Sequence, residues 1–459
     1  MTTILLKNGT ILTMDSKRRI IQDGSVVIEG NRVVEVGKSE KIDYKAEHVI
    51  DCKGKLILPG LIDSHLHLAQ ALLRGSADDL ALIPWLSRRV WPLQSSYDHE
   101  LGKLSAQLCC IELIKSGTTT FIEAMLNTKY GFDGIAEAVK NIGLRGVLSK
   151  IVMDRPYYAD KKVYEGMVES KEESMKEAIA MIEKWHHKAN DRIHVWFGPR
   201  TPGACSPSFY QEISEKAKKY KVGVTLHLAE TKEDVDYLKR EFGMTPMQFM
   251  KRCELLGKHV VYAHGVWMTD EDFPILKESG STVCHCPSCN LKLASGFAPI
   301  LKMLAHGINV SLGCDGAPCN NTYDLIREMR LAALIHKGRL LDSQVLPAER
   351  VLELATLNGA RATQWNGKLG SIEPNKLADI IVVDMIKPHL LPIRNPVSTL
   401  VYSANGSDVE AVIVDGKLVM ENRELKTVDE AKILDKVQAK GLLLDERAGL
   451  KIGPNWPSC

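Results

Sequence analysis

Eight apolar, β-branched segments recur through the middle of the chain, separated by segments with helical periodicity. This alternation is typical of parallel βαβ units whose strands are buried on both faces. Eight such repeats predict an α/β fold, a closed (β/α)8 TIM barrel, which takes about 250 residues. The predicted strands are residues 58–67, 118–125, 144–154, 193–199, 222–230, 260–265, 281–287 and 308–315.

The two ends of the chain have a different sequence pattern from the middle. Short β-rich pieces fill the first 58 residues, and similar pieces return in LADIIVVD, TLVYSA and EAVIVDGKLVMEN. We therefore expect the ends to pair as a small β-sandwich domain, residues 1–58 plus 367–459, with a C-terminal helix and tail. The catalytic barrel then covers residues 59–366. Two barrel helices stand out, at 166–188 and from a Thr269 cap to Gly280.

The amino-acid composition limits the class of binding partner and the cellular compartment that can be expected. Lys and Arg total 59 against 57 Asp and Glu in 459 residues, and no stretch is dominated by one sign. This balance favours a small-molecule partner over nucleic acid or a membrane surface. The N-terminal residues alternate like a strand, not like a signal peptide. Eleven scattered cysteines fit a reducing compartment, so a cytoplasmic location is expected.

Polar side chains close several predicted strands, at the barrel end where active sites form. His65 and His67 alternate with period two, which turns both rings to the same side. The fifth, sixth and eighth strands end in His227 with Glu230, in His264, and in Asp315. A single strand-end histidine is more often a structural one bonded to a carbonyl, but here four strand ends agree. Three histidines and one carboxylate suit a zinc-like ion with room for water.

These motifs resemble the amidohydrolase superfamily, through LPGLIDSHLH, His227, His264, the GCDG turn and the GSIEPNKLADIIVVD segment. The resemblance spans nearly the whole chain. Two-metal members carry a carbamylated lysine at the end of the fourth strand, where this chain has VWFGPRTP, so one divalent ion is implied. Zinc is expected, with ferrous iron as an alternative. The implied metal ligands are His65, His67, His227 and Asp315.

The resemblance also implies three catalytic residues. His264 holds the attacking water, Asp315 helps to orient it, and Glu230 shuttles protons. A bound divalent ion lowers the pKa of its water toward ~7. We expect attack on an electron-poor ring carbon, protonation of the ring nitrogen by Glu230, and proton transfer to the departing amine. Loss of ammonia leaves the oxo product.

Within the superfamily the chain resembles the mononuclear branch of guanine deaminases, S-adenosylhomocysteine deaminases and triazine hydrolases, through LLRG, Trp85 and NLKLASGFAPI. Gln70 matches an amide that faces the heterocycle in guanine deaminases and triazine hydrolases. Arg200 matches the segment where guanine deaminases hold the purine carbonyl and adenosine-type deaminases usually show histidine. Gln94 replaces a glutamate that binds ribose hydroxyls in nucleoside deaminases. Cys319 matches a cysteine of a melamine deaminase.

His285 closes the seventh strand, where this branch commonly has a pocket histidine. It lies beside Cys284, Cys286 and Cys289, of which the last two are spaced as in zinc sites. The signature of cytidine-type zinc deaminases is H-x-E followed by P-C-x-x-C, and here the order is H-x-x-E followed by C-P-S-C. We therefore favour packing of these cysteines as small apolar residues.

The sequence predicts a hydrolytic deaminase that converts guanine to xanthine and ammonia. The alternatives are a triazine hydrolase of the melamine or atrazine type and an S-adenosylhomocysteine or 5'-methylthioadenosine deaminase. A barrel that only binds a metabolite is disfavoured, because every implied ligand and Glu230 are present. Each of these substrate-contacting residues also has a structural alternative. Gln70 and Gln94 could form hydrogen bonds within loops, Trp85 could pack at the end of the barrel, and Arg200 could form a salt bridge. Relatives of this branch often form dimers or larger rings, which implies a homo-oligomer.

Overall fold

The computed structural model of the protein describes residues 2–453 and residue 456. Within this part of the chain, a parallel sheet of eight strands and a terminal sheet of nine dominate the fold. A small hairpin, Tyr157–Tyr158 with Lys161–Lys162, is separate from both. No helix among the described residues is long and apolar enough to cross a membrane.

The eight parallel strands follow one another around the sheet in chain order. They are β1 Leu61–Leu66, β2 Thr118–Leu126, β3 Arg145–Val152, β4 Ile193–Pro199, β5 Val224–Leu228, β6 Val260–His264, β7 Thr282–His285 and β8 Asn309–Leu312. Nearly all their side chains are buried, as expected for strands covered on both faces. The sheet closes where Leu66 pairs with Asp315, whose N–H donates to the carbonyl of His65 over 2.8 Å. The predicted (β/α)8 barrel is confirmed.

The predicted strand 58–67 is divided between the two sheets. Lys55–Pro59 belongs to the terminal sheet, and β1 begins after a break at Gly60. A Cβ atom at Gly60 would lie 2.1 Å from Oγ1 of Thr119, so only glycine lets the chain pass between the sheets here. The other seven predicted strands are present, with ends that shift by a few residues.

The terminal sheet joins both ends of the chain, as predicted. Lys55–Pro59 pairs antiparallel with Ile380–Asp384, which aligns Ile57 with Val382. The two ends form one continuous sheet with a hydrophobic core of its own. Its strands are Thr3–Leu12, Ile20–Glu29, Arg32–Lys38, His48–Asp51, Lys55–Pro59, Ile380–Asp384, Val409–Val414, Lys417–Glu421 and Glu424–Leu425. The division into domains at residues 58 and 367 stays a prediction, and most of the tail after residue 453 lies outside the described residues.

One terminal segment differs from the prediction. TLVYSA was expected to be β-structure, but most of it lies in the helix Pro396–Tyr402. The side-chain oxygen of Asn395 accepts hydrogen bonds from the backbone N–H groups of Val397 and Ser398, and Pro396 suits the first helical turn. This local start signal outweighs the β propensity of the apolar residues that follow.

The helix predicted to start after Thr269 begins at Asp272, so the predicted cap is wrong. The Asp272 carboxylate accepts hydrogen bonds from the N–H and hydroxyl of Thr269 and forms a turn before the helix. The predicted end at Gly280 is confirmed, with a left-handed φ of 70°.

The remaining helices cover the barrel and the loops at its ends. The helix predicted at 166–188 is shorter, because its first turn begins at the Ser170 cap. The helices are Leu82–Trp85, Trp91–Ser95, His99–Lys115, Phe132–Ile142, Lys171–Trp185, Pro207–Tyr220, Lys232–Phe242, Pro246–Arg252, Asp272–Ser279, Pro287–Lys292, Ile300–Ala305, Ala317–Asn320, Leu325–Leu340, Ala348–Leu354, Leu357–Ala362, Pro396–Tyr402 and Glu430–Arg447.

Candidate active site

Four side chains predicted to bind metal meet at the carboxyl ends of the barrel strands. One potential ligand atom from each of His65, His67, His227 and Asp315 lies within 4.8 Å of the others. Oδ1 of Asp315 lies 3.2 Å from Nε2 of His67 and 3.7 Å from Nε2 of His65. All four side chains are buried. The structure therefore brings together the complete predicted ligand set.

The backbone around the barrel closure fixes two of these ligands. The Asp63 carboxylate accepts hydrogen bonds from the N–H of His65 at 3.1 Å and of Cys314 at 3.2 Å. It therefore ties β1 to the chain that follows β8. Asp315 has a left-handed φ of 65° and His264 one of 75°, a conformation that is costly for residues other than glycine. This backbone strain lies at the candidate site.

Hydrogen bonds at Nδ1 fix the ring orientation of His227 and His264. Nδ1 of His227 lies 3.0 Å from the carbonyl oxygen of Arg200. Nδ1 of His264 lies 3.0 Å from Oδ1 of Asn290. A neutral imidazole whose Nδ1–H donates to an oxygen has its free lone pair on Nε2. Both rings therefore direct an acceptor nitrogen toward the cluster.

The donor set fits a divalent metal ion. His65 is fully buried, yet neither ring nitrogen has a hydrogen-bond partner among the described residues. Burial lowers the pKa of His65 and of His227 well below the usual value, which favours the neutral ligand form. Burial opposes ionisation of Asp315, but the surrounding histidines hold its pKa well below its usual value. Three imidazole nitrogens and one carboxylate oxygen suit zinc or ferrous iron.

Glu230 and His264 face each other beside the ligand cluster. Oε2 of Glu230 lies 3.7 Å from Nε2 of His264, which itself lies 3.8 Å from Oδ2 of Asp315. Burial, with a smaller contribution from the Asp315 carboxylate, raises the pKa of Glu230 to about 8. The backbone N–H of Glu230 donates to the Asp234 carboxylate at 3.2 Å. The carboxyl group of Glu230 and the Nε2 atom of His264 therefore place a proton donor and a proton acceptor side by side.

Two of the predicted substrate-contacting residues, Trp85 and Arg200, line a cavity beside the ligands. Its volume is only about 10 Å³, close to the space that one water molecule needs. Leu82 and Leu293 are part of its walls. Binding of a heterocycle therefore requires these side chains to move apart.

The two predicted glutamines are both buried. Oε1 of Gln70 has no hydrogen-bond partner among the described residues. A Cβ atom on Gly316 would lie 1.7 Å from that oxygen, so the turn after Asp315 passes directly against the Gln70 amide. Gln94 lies in the helix Trp91–Ser95 and is not among the described residues that line the cavity.

Neither Cys319 nor His285 is among the described residues that line the cavity. Nε2 of His285 lies 3.3 Å from Nε2 of His336. Sγ of Cys319 lies within 4.8 Å of an Asp315 oxygen and of Sγ of Cys289. Cys289 lines the cavity and was not predicted to act there.

Among the described residues, Cys284, Cys286 and Cys289 do not come together as one group of potential metal ligands. No group of potential ligands in the described part of the chain combines Cys286 with Cys289. The ten cysteines that the structure describes are free and buried. This agrees with the predicted packing of these residues as small apolar side chains.

Two further residues that support the site were missed by sequence reasoning. Asn290 follows the seventh strand inside a stretch interpreted only as a branch motif. Glu123 is a buried carboxylate inside β2, with buried apolar residues on both sides, and it accepts hydrogen bonds from the N–H groups of Leu68 and Met125. A single acidic residue inside an otherwise uncharged strand was a readable signal, whereas the contact of Asn290 with His264 depends on the three-dimensional fold.

A larger cavity lies away from these ligands. It has a volume of about 870 Å³ and lies between the hairpin that contains Met14 and Ile20 and helices near Glu349 and Val397. It contains none of the metal-ligand groups found among the described residues. The unpartnered buried nitrogens and oxygens, and not cavity size, locate the candidate active site.

A (β/α)8 barrel with histidines and a carboxylate at its strand ends defines a class of metal-dependent hydrolases. Residues 56–419 match the amidohydrolase family, and the chain belongs to that family. It is therefore an enzyme, a hydrolase that acts on C–N bonds other than peptide bonds.

Relatives with known names extend over almost the whole chain. A 5-methylthioadenosine/S-adenosylhomocysteine deaminase of Thermoanaerobacter pseudethanolicus is 38% identical over 97% of this chain and 100% of its own. A 5'-deoxyadenosine deaminase of Methanosarcina mazei is 39% identical over 95% of this chain and 97% of its own. The crystal structure of an adenosine deaminase from Xanthomonas campestris with bound zinc has a TM-score of 0.90 at 27% identity, over 98% and 99% of the two chains.

A guanine deaminase of E. coli has a TM-score of 0.81 at 24% identity, over 92% of this chain and 100% of its own. A likeness at this identity shows the fold alone. The resemblance to the amidohydrolases is confirmed, whereas the choice of guanine has no support at higher identity from the relatives described.

Proposed function

We propose that the chain is a hydrolytic deaminase of an aminated purine, and specifically of the adenine ring in a 5'-deoxy or 5'-substituted adenosine. The observation that supports deamination is the approach of Glu230 to His264, 3.7 Å apart beside the ligand cluster. The relatives at 38% and 39% identity support the choice of substrate. This replaces guanine as the first candidate.

The proposed chemistry uses residues of this chain for each proton transfer. His65, His67, His227 and Asp315 would hold a divalent ion, which would supply the Lewis acidity that makes water nucleophilic near neutral pH. Nε2 of His264 accepts a hydrogen bond from the attacking water and orients it. Glu230, protonated near neutral pH, donates its proton to the ring nitrogen.

The Glu230 carboxylate then takes one proton from the attacking water and passes it to the leaving amine. It finally takes the second proton from the added hydroxyl group, so that Glu230 ends the cycle protonated, as it began. A C–O bond forms, the C–N bond breaks, and ammonia leaves. The net reaction consumes one water and yields the oxo-purine. Burial of Glu230 matches this role, because the same carboxyl group must both donate and accept a proton near neutral pH.

A second candidate, guanine, is favoured by the surroundings of Arg200. This side chain is buried, its Nε has no partner among the described residues, and its Nη1 meets the sulfur of Met125 at 3.0 Å. The guanidinium lies over the ring of Trp91, 5.6 Å from its centroid. A buried cation without an acceptor is costly. An oxo group on the substrate, as in guanine, would satisfy it.

Ammonia release by the zinc-loaded enzyme tests the proposal, with 5'-deoxyadenosine, 5'-methylthioadenosine, S-adenosylhomocysteine, guanine and melamine as substrates. We expect a kcat/KM above roughly 10⁴ M⁻¹s⁻¹ for one of the adenosines. Glu230→Gln should lower kcat by about 10²–10⁴-fold. Glu233→Gln, an exposed glutamate in the next helix, is the matched control and should retain full activity.

Arg200→His separates the two candidates. If the substrate is an adenosine, this change to the usual residue of adenosine-type deaminases should retain turnover of the nucleoside. If the substrate is guanine, loss of a charge-assisted hydrogen bond should lower kcat/KM by about 10–100-fold. Turnover of guanine or melamine without any nucleoside turnover contradicts the first candidate, and a metal-loaded enzyme that deaminates none of the five contradicts both.

Three further predictions accompany this function. We propose zinc as the ion, with ferrous iron as the alternative, which metal analysis of the purified enzyme tests. A homo-oligomer is proposed from the resemblance and is tested by light scattering. A cytoplasmic location stays a prediction, tested by fractionation of the source cells.

A further inference from the structure

A second cluster of potential metal ligands lies at the opposite end of the barrel. The segment HHKANDRIH, residues 186–194, leads into β4 at its amino end. One potential ligand atom from each of His187, Asp191 and His194 lies within 4.8 Å of the others. Oδ1 of Asp191 lies 2.6 Å from His187 and 2.9 Å from His194. One carboxylate thus faces two imidazoles, far along the strand from the catalytic end.

A rigid turn holds these three side chains together. His187, Ala189, Asn190 and Asp191 have left-handed φ values of 62°, 54°, 59° and 61°, each costly for a residue other than glycine. Nδ2 of Asn190 donates to the Asp415 carboxylate at 2.6 Å and connects the turn to the terminal sheet. The carboxylate of Asp191 is thereby held toward both histidines.

The two histidines differ in exposure. His194 is buried, and its ring stacks on Trp365 with centroids 4.2 Å apart. His187 has a side chain that is 63% exposed, so an ion can enter from solvent. Lys368, 56% exposed, lies 3.7 Å from the other Asp191 oxygen and can swing away. The cluster combines a fixed buried ligand with an open entry.

We propose that His187, Asp191 and His194 form a second site for a transition-metal ion of the zinc, copper or nickel class. Two imidazole nitrogens and one carboxylate oxygen are a preferred donor set for these ions, with solvent at the open position. In the metal-bound form, the ring nitrogen of each histidine that faces Asp191 binds the ion, and the ring hydrogen is on the opposite nitrogen. The ion thus takes the place of the hydrogen in each histidine–Asp191 hydrogen bond. The bound ion clamps the turn onto β4.

Equilibrium dialysis of the chelator-stripped enzyme against Zn²⁺ tests the site. Two zinc ions per chain are expected, one at each cluster. His187→Asn should weaken binding at the second site by more than about 10-fold, to one ion per chain at low micromolar zinc. Asparagine is chosen because it tolerates the left-handed backbone at this position. His389→Asn, which removes another exposed histidine paired with a single carboxylate, Asp408, is the control and should still bind two.

Deaminase activity should be unchanged in His187→Asn, and zinc beyond the first equivalent should raise the Tm of the wild type but not of this variant. Equal zinc counts in the wild type and His187→Asn would overturn the proposal. Failure of the catalytic site gives a different result, because zinc then falls to one ion in the wild type and to none in His187→Asn. The difference of one ion isolates the second site.

Discussion

Nδ1 of His264 lies 3.0 Å from Oδ1 of Asn290, and this contact determines which nitrogen of the ring faces the active site. With Nδ1–H donating to the amide oxygen, Nε2 carries the lone pair that faces Glu230 and Asp315. Asn290 is therefore a positioning residue for the proposed water-binding histidine.

Asn290→Leu should lower kcat by about 10–100-fold, the size of effect that follows when a hydrogen bond that orients a histidine at a metal site is lost. Active-site zinc content should not change, because the hydrogen bonds of Asn290 in the described part of the chain do not involve the four metal ligands. Asn290→Asp, which retains an oxygen acceptor, should recover most of the activity. Asn309→Leu, at the amino end of β8 and bonded to Thr282 and Asn358, is the matched control. Wild-type kcat in Asn290→Leu would contradict the assignment.

The Asp63 carboxylate should control metal affinity through the backbone. It accepts hydrogen bonds from the N–H groups of His65 and Cys314, so Asp63→Ala leaves two buried donors unpaired, at about 1–3 kcal/mol each. We expect zinc affinity to fall by about 10–100-fold and Tm to decrease. Asp63→Asn retains one acceptor oxygen, so its zinc affinity and its Tm should decrease less than those of Asp63→Ala. The same zinc affinity in Asp63→Ala and the wild type would show that this contact does not position the ligands.

The metal ligands could be predicted from the sequence because each lies at or just beyond the carboxyl end of an apolar strand. Parallel strands of a barrel end at one face, so the positions of His65, His227 and Asp315 along the chain determine their convergence. The partners of these ligands could not be predicted in the same way. The contact between Asn290 and His264 depends on how the helix Pro287–Lys292 packs beside β6, and no local pattern encodes it.

For the fold too, features that depend on contacts between distant elements could not be predicted from local sequence. Barrel and terminal sheet follow from the strand and helix periods, whereas the break at Gly60 depends on the approach of Thr119 from another element. The helix that begins at Pro396 was missed, although Asn395 and Pro396 are a recognisable start signal. The small volume at the catalytic end could not be inferred, because it depends on the packing of Leu82, Trp85 and Leu293.

A buried ion-pair network should hold the barrel to the terminal sheet. Nε of Arg145 in β3 lies 3.1 Å from the Asp379 carboxylate, and Nη2 lies 3.3 Å from Asp415. Arg145→Met leaves two buried carboxylates unpaired, which should cost about 3–5 kcal/mol. Lys184→Met, which breaks an exposed pair with Asp133, should cost about 0–1 kcal/mol. Urea denaturation measures both, and equal losses in the two variants would contradict the argument.

His336 should make the fold sensitive to acid. Burial, with a smaller contribution from Arg339, lowers its pKa to about 4, whereas a histidine in the unfolded chain has a pKa near ~6.5. The unfolded chain therefore takes up the proton first, and stability is lost as pH falls from about 6.5 to about 4, by about 2 kcal/mol at pH 5. His336→Gln keeps a polar group near His285 but does not titrate, so its Tm should fall less between pH 7.5 and pH 5 than the Tm of the wild type. Parallel Tm curves for the two proteins would show that His336 is not the group responsible.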